Sequence, residues 1–187
     1  MGFKHSKTKI IGICGISRAG KTTLRNSLVE YLKNKYGKKY SIEHFTIDDY
    51  YIRPQYVFDK NLQKTIIDDE EPESYDFEEF RNRLKNIKTN NTHDICIVEG
   101  FLLYTYDDIE KMIDYKYFLD VDKEICFDRR KRTREYYSDY YLEEYLWKGF
   151  FKHNTLLDNC FHINTNGDLE EIKRIFINDV LKKLNLN

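Results

Sequence analysis

The side chains with most chemistry in them come early in the chain. Gly15-Ile16-Ser17-Arg18-Ala19-Gly20-Lys21-Thr22 fits the pattern G-x-x-x-x-G-K-[ST] at every fixed position. Glycine lets such a loop turn tightly and brings bare backbone N–H groups against phosphate oxygens. In this pattern the lysine, here Lys21, sets its ammonium on the β- and γ-phosphates, and the hydroxyl of Thr22 reaches Mg²⁺. The stretch implies that the chain binds a nucleoside triphosphate. Two acids lie where such a site needs them. Asp48 follows a stretch of alternating β-branched and aromatic residues, and Glu99 ends an apolar run, in the manner of a Walker B acid with Glu in place of the usual Asp. A carboxylate there can hold Mg²⁺ directly or through water. Asp76 has two readings, a helix cap or a substrate contact. The run Arg129-Arg130-Lys131-Arg132-Thr133-Arg134 is a solvated face, a nucleic-acid patch or a set of cations for phosphoryl oxygens. The rest of the chain is not basic, which favours the last.

The elements that must position these groups can be read from periodicity. Lys9 to Cys14 is a short β-branched run suited to a buried parallel strand. From Thr22 to Lys35, Leu24, Leu28, Tyr31 and Leu32 share a helical face. Strand, glycine loop and helix is the setting the motif requires, since the helix N-terminus helps hold the anion. Tyr40 to Ile47 reads as a second strand, delivering Asp48-Asp49-Tyr50-Tyr51 at its carboxyl end, where ligands gather in open α/β sheets. Residues 53 to 72 show no clear periodicity and read as a long loop or flap. A helix opens at Phe77, with Phe80, Leu84 and Ile87 on one face. Asp94 to Gly100 is a third strand and Tyr115 to Val121 a fourth. Asp122 caps a helix that runs into the arginine cluster. A further helix passes through Trp147 to Leu157, Cys160 to Ile163 is a short fifth strand, and Asp168 caps the last helix. The alternation predicts an α/β fold: a doubly wound, mainly parallel, five-stranded sheet with helices on both faces and an arginine-rich lid near residues 129–140.

The 187 residues suit one domain, 1–187, with a core of its own. A net charge of −1 leaves no basic footprint for a nucleic-acid partner. No apolar run is long enough to span a bilayer and no signal-peptide core opens the chain, so the expected location is cytoplasmic and no membrane partner is expected. The four cysteines form no C-x-x-C pair and read as reduced thiols.

Taken together, Ile11-Gly12-Ile13-Cys14-Gly15 into the phosphate loop, Asp48-Asp49-Tyr50-Tyr51, Tyr75-Asp76 and Val98-Glu99-Gly100-Phe101-Leu102-Leu103 resemble the nicotinamide riboside kinases. These group with the uridine kinases among P-loop kinases. The resemblance runs through essentially the whole chain in the same order. It implies ATP and Mg²⁺ as cofactors, with Gly15, Ser17, Arg18, Ala19, Gly20, Lys21, Thr22, Thr23 and Arg129 around the nucleotide. It implies Thr22, Asp48 and Glu99 near the metal, Asp48 as general base at a riboside 5′-hydroxyl, and Lys21 and Arg134 at the transferring phosphoryl group. Asp76 and Arg130 would meet the ribose hydroxyls, and Tyr75 and Tyr136 would stack on a pyridinium ring, whose charge suits electronegative ring faces. The small-molecule partner implied is nicotinamide riboside. A uridine or cytidine kinase is the nearest alternative. A non-catalytic nucleotide-binding regulator is a third; the N-K-x-D and D-x-x-G signatures of a GTPase switch do not occur.

Overall fold

The computed structural model describes residues 7–133 and 137–186. Its centre is a parallel sheet of five strands: β1 (Lys9–Cys14), β2 (Ile42–Thr46), β5 (Ile95–Gly100), β6 (Tyr115–Asp120) and β7 (Phe161–Asn164), in the order β2-β5-β1-β6-β7. β1 lies between β5 and β6, with Ile11 beside both Ile97 and Tyr115. Every residue of β5 is buried and β1 is buried from Ile10 onward, which is why both read as unbroken apolar runs rather than alternating ones. The carboxyl ends of β1, β2 and β5 therefore come together at one edge of the sheet, with Cys14 beside Gly100 and Thr46 beside Glu99.

Helix α1 (Lys21–Tyr36) starts directly out of the phosphate loop. Its Leu24, Leu28 and Leu32 are at most 1% exposed, worth roughly 1.5–3 kcal/mol each in burial. The helix packs on β1, β5 and the C-terminal helix α7 (Leu169–Lys183). Gly12 and Cys14 share one face of β1 by strand alternation. On that face Tyr104 donates its hydroxyl to the Gly12 carbonyl at 2.9 Å, and the Cys14 thiol lies 3.5 Å from Asn154 Oδ1. Helix α2 (Phe77–Asn90) buries Phe77, Phe80, Leu84 and Ile87, the stripe read from sequence. Among the described residues no helix is long and apolar enough to cross a membrane.

The sheet and its helices match the α/β expectation, with three differences. Residues 53–72 are not a structureless loop: they hold an antiparallel hairpin, β3 (Gln55–Asp59) and β4 (Lys64–Asp68). Between β5 and β6 stands only the four-residue α3 (Asp107–Glu110), because the buried turn through Leu102, Leu103 and Tyr104 already covers the sheet. After α4 (Lys123–Lys131), the chain from 139 to 153 is a single helical run: α5 (Asp139–Tyr141), a π-helical stretch (Leu142–Trp147) and α6 (Lys148–His153). It stops at His153 rather than Leu157.

Candidate active site

At the carboxyl edge of the sheet opens a cavity of ≈ 620 Å³. Ser17, Gly20, Lys21, Thr22 and Thr23 form its floor, and Arg18 lines it too. Arg18 sits at φ 68° and Gly20 at φ 102°. Glycine tolerates that region freely, while an arginine there is held by its surroundings, a form of local strain found at binding loops. Lys21 Nζ donates to the Gly15 carbonyl at 2.9 Å and the Ile16 carbonyl at 3.1 Å, so its ammonium spans the loop it closes.

Glu99, next to last in β5, is only 2% exposed. It accepts the Thr22 hydroxyl at 2.8 Å and pairs with Arg25 Nη1 at 3.2 Å. The sequence reading did not foresee Arg25, whose side chain reaches across from α1. Asp48 stands in a 3₁₀ turn (Ile47–Tyr50) directly after β2. There the two adjacent acids divide the work. Asp49 accepts the Thr46 N–H at 3.2 Å while Thr46 Oγ1 accepts the Asp48 N–H, a reciprocal capping box. Asp49 is spent on the backbone, and Asp48 lines the cavity with its side chain exposed.

Thr22, Glu99 and Asp48 suit a magnesium ion in donor chemistry, since all offer hard oxygens and two already touch. Among the described residues no three His, Cys, Asp or Glu side chains gather as a metal cluster. An ion held here would draw its remaining ligands from phosphate and water, the ordinary habit of Mg²⁺.

The far wall is aromatic and acidic. Tyr51 and Tyr75 meet edge to face, 5.6 Å between ring centroids, and Phe101 lies 5.5 Å beyond Tyr75. The Tyr51 hydroxyl donates to Asp69 Oδ1 at 2.8 Å and the Tyr75 hydroxyl to the Asp69 carbonyl at 2.9 Å. Burial first, then the Asp48 charge, holds the Tyr75 phenol well above its ordinary pKa, so it remains a donor. Asp69 and Glu70 complete this wall. Tyr51, Asp69, Glu70 and Phe101 are thus lining residues that sequence reasoning passed over. The Asp48-Asp49-Tyr50-Tyr51 cluster was a signal for Tyr51; Asp69 and Glu70 lay in an acidic stretch with no visible partner.

The structure separates other sites that the sequence reading had grouped. Asp76 is the N-cap of α2, accepting the Glu79 N–H at 2.8 Å, and the residues lining the cavity do not include it. Arg130 is 6% exposed, not a cation on an open flap. It donates through Nη1 to Ser17 Oγ at 2.9 Å and through Nη2 to Glu70 Oε1 at 3.0 Å. Arg129 turns the other way, to the carbonyls of Arg18 and Thr165. Arg134 and Tyr136 lie outside the described residues.

Comparison with known proteins fits this geometry. The AAA domain family matches residues 11–148. Human nicotinamide riboside kinase 1 is 30% identical over 162 residues, covering 79% of this chain and 77% of its own. The uridine kinase of Borrelia duttonii is 33% identical over 158 residues, covering 74% of this chain and 75% of its own. The chain belongs to the P-loop kinase family of nicotinamide riboside and uridine kinases. It is a P-loop nucleoside kinase, a phosphotransferase, and membership implies use of ATP, typically with Mg²⁺. Among solved structures, a possible uridine kinase from Bacillus stearothermophilus superposes with TM-score 0.51 at 16% identity, over 85% of this chain and 89% of its own. A sugar kinase from Janibacter sp. HTCC2649 superposes with TM-score 0.57 at 15% identity, over 96% and 95%. At such identities the two establish the shared fold.

Proposed function

We propose that the protein transfers the γ-phosphoryl group of ATP to the 5′-hydroxyl of nicotinamide riboside, giving nicotinamide mononucleotide, a step of NAD synthesis in the cytoplasm. The observation that carries the choice of substrate is the wall made by Tyr51, Tyr75, Asp48 and Asp69 in one cavity. A pyridinium riboside is a cation with a flat ring. Tyrosine faces and nearby carboxylates attract such a ring, whereas a neutral pyrimidine gains nothing from the excess of negative charge.

In this mechanism the phosphate loop and Lys21 hold the triphosphate, and Thr22, Glu99 and Asp48 would hold Mg²⁺. When bound, Mg²⁺ offsets the charge of the phosphoryl oxygens. Asp48, free of the capping bonds that occupy Asp49, accepts the proton of the 5′-hydroxyl as its oxygen attacks phosphorus. Phosphoryl transfer asks for positioning and electrostatics more than for covalent chemistry. Arg130, which the resemblance sets at the ribose but which bonds to Ser17 of the phosphate loop, would add positive charge at the transferring group, with Arg134 by resemblance. Tyr136 would keep the ring contact that the resemblance implies, whereas Asp76, as the N-cap of α2, stands outside the cavity lining.

The uridine kinase relatives favour a second reading, in which the same machinery phosphorylates a pyrimidine nucleoside. One experiment separates the two: ADP release with Mg·ATP against nicotinamide riboside, nicotinic acid riboside, uridine and cytidine, with Lys21→Ala as control. Turnover confined to the pyridine ribosides and lost in the control is the expected result. Turnover of uridine or cytidine alone would overturn the substrate assignment.

A further inference from the structure

The hairpin places one carboxylate where a kinase would be expected to keep its charge positive. Glu70, just past the end of β4, is 5% exposed and lines the triphosphate cavity. Its partner Arg130 bridges it to the phosphate loop: one guanidinium nitrogen reaches Ser17 Oγ at 2.9 Å, the other Glu70 Oε1 at 3.0 Å. The guanidinium also lies 4.8 Å from the centre of the Tyr137 ring and donates to its hydroxyl at 3.3 Å. Tyr137 in turn stacks on Tyr141, with ring centroids 4.4 Å apart, and Tyr141 donates to Asp68 Oδ1 at 3.1 Å. The end of the hairpin, α4 and α5 are therefore tied together over the phosphate loop through one arginine.

We propose that Glu70 is a built-in stand-in for a phosphate oxygen: it holds Arg130 over the phosphate loop until a triphosphate arrives, then yields the guanidinium to it. The idea deepens the nucleotide half of the proposed function and rests on that half alone; the riboside plays no part. Carboxylate and phosphate are the two anions a guanidinium fork fits best, so the exchange keeps Arg130 paired throughout. Glu70 cannot stay as it was. A buried carboxylate that loses its cation and gains an anionic neighbour becomes protonated. The balance is simple: one proton passes from solvent to the Glu70 carboxylate as the Arg130 hydrogen bond moves to a phosphoryl oxygen.

The surroundings of Glu70 favour that proton uptake. Its pKa is already pushed up to about 7, by burial first; Arg130 and Lys21 pull it down, while Asp68 and Asp48 raise it further. Tyr75, Cys126 and Tyr141 also face it, all three with pKa values raised by burial, so they stay neutral near pH 7. At pH 7.5 a carboxyl titrating at about 7 is about three-quarters ionised. Full protonation on binding would then take up most of one proton.

The test is calorimetric titration of the full chain with Mg²⁺ and a non-hydrolysable ATP analogue at pH 7.5, in buffers of different ionisation enthalpy. The difference between wild type and Glu70→Gln cancels the ionisation of the nucleotide itself. The wild type is expected to take up about 0.5–0.8 proton more than Glu70→Gln. The variant, with no internal anion competing for Arg130, should bind about three- to tenfold more tightly, and its affinity should lose the wild type's weakening as pH rises from 6.5 to 8.5. Arg130→Gln is the second variant. With no guanidinium to hand over, it keeps Glu70 yet shows reduced uptake and weaker binding, and this separates the exchange from a folding defect at position 70. Equal proton uptake and parallel pH dependence in wild type and Glu70→Gln would overturn the proposal, and so would a wild type that binds no triphosphate. A failed riboside assay with intact triphosphate binding would count against the substrate alone.

Discussion

Gly100 closes β5 beside the turn that carries Asp48, and a single methyl group there tests whether that turn must be held in place. A Cβ at position 100 would lie 2.5 Å from Ile47 Cδ1, 2.7 Å from its Cγ1 and 2.9 Å from its Cβ. Ordinary carbon contacts stand near 3.5–4.0 Å, so Ile47 would have to retreat by about 1 Å. Ile47 is fully buried, and with its own Cβ among the clashing atoms a change of rotamer gives no relief. The 3₁₀ turn must move, and Asp48 is its next residue. Overpacking of this kind costs about 2 kcal/mol, a fall of about 4–8 °C in Tm for a chain of this size. A base displaced by about 1 Å lowers kcat by about a hundredfold, while the KM for ATP, set by the phosphate loop, stays within about threefold. Thermal unfolding and steady-state kinetics on Gly100→Ala measure both effects. Adding Ile47→Ala removes the two nearest clashing atoms, so the double variant should lose less than the sum of the single losses, by about 1 kcal/mol or more. Wild-type kcat at wild-type Tm in Gly100→Ala, or strict additivity in the cycle, would refute the steric link from Gly100 through Ile47 to Asp48.

Other outcomes follow from the same geometry. Asp48→Ala should lower kcat by about 10²–10⁴-fold while the Kd for the ATP analogue changes less than about threefold; a variant within about threefold of wild-type kcat would remove Asp48 as the base. Glu99→Gln keeps an acceptor for Thr22 but leaves Arg25 facing no charge, so stability should fall by about 2 kcal/mol and the Mg²⁺ requirement rise by about 10–100-fold, read from denaturant unfolding and a Mg²⁺ titration of rate. Burial pushes the Cys14 and Cys96 thiols up to about 12 and those of Cys126 and Cys160 up to about 11. A thiol-reactive disulfide reagent at pH 8 should therefore react slowly with the native protein, first at half-buried Cys160, and rapidly with all four cysteines in denaturant; rapid native labelling of more than one thiol would contradict the buried placement.

The legible parts of the site share a physical reason: their chemistry is local in the chain. A phosphate loop must be glycine-rich, must follow a strand and must open a helix, so eight consecutive residues declare it. Glu99 was readable because β5 is an unbroken apolar run interrupted only by an acid near its carboxyl end, and Asp48 because it follows a strand-like stretch of β-branched and aromatic residues. The sequence pointed to Asp48 rather than Asp49, but the physical reason for that choice was not readable. It depends on the reciprocal bonds that Asp49 makes with the Thr46 backbone, a matter of turn geometry.

The hairpin and its carboxylates stayed hidden because their partners are remote in sequence. In β3 and β4 the buried positions include Asp59 and Asp68 as well as Ile66, while Tyr56, Phe58 and Ile67 face outward. To a reader of periodicity that pattern is inverted, with acids inside and aromatics outside. It becomes sensible only when Ser138 is seen donating to Asp59, 79 positions on, and Tyr141 to Asp68, 73 positions on. Glu70 is the extreme case, since the arginine that explains it lies 60 positions away. Buried acids are tolerated only with donors supplied, and here the donors come from the end of α4 and the start of the helical run after it. The same contacts that hide these residues from sequence reading make the hairpin a functional element: they carry Asp69 and Glu70 into the cavity and tie Glu70 to the arginine above the phosphate loop.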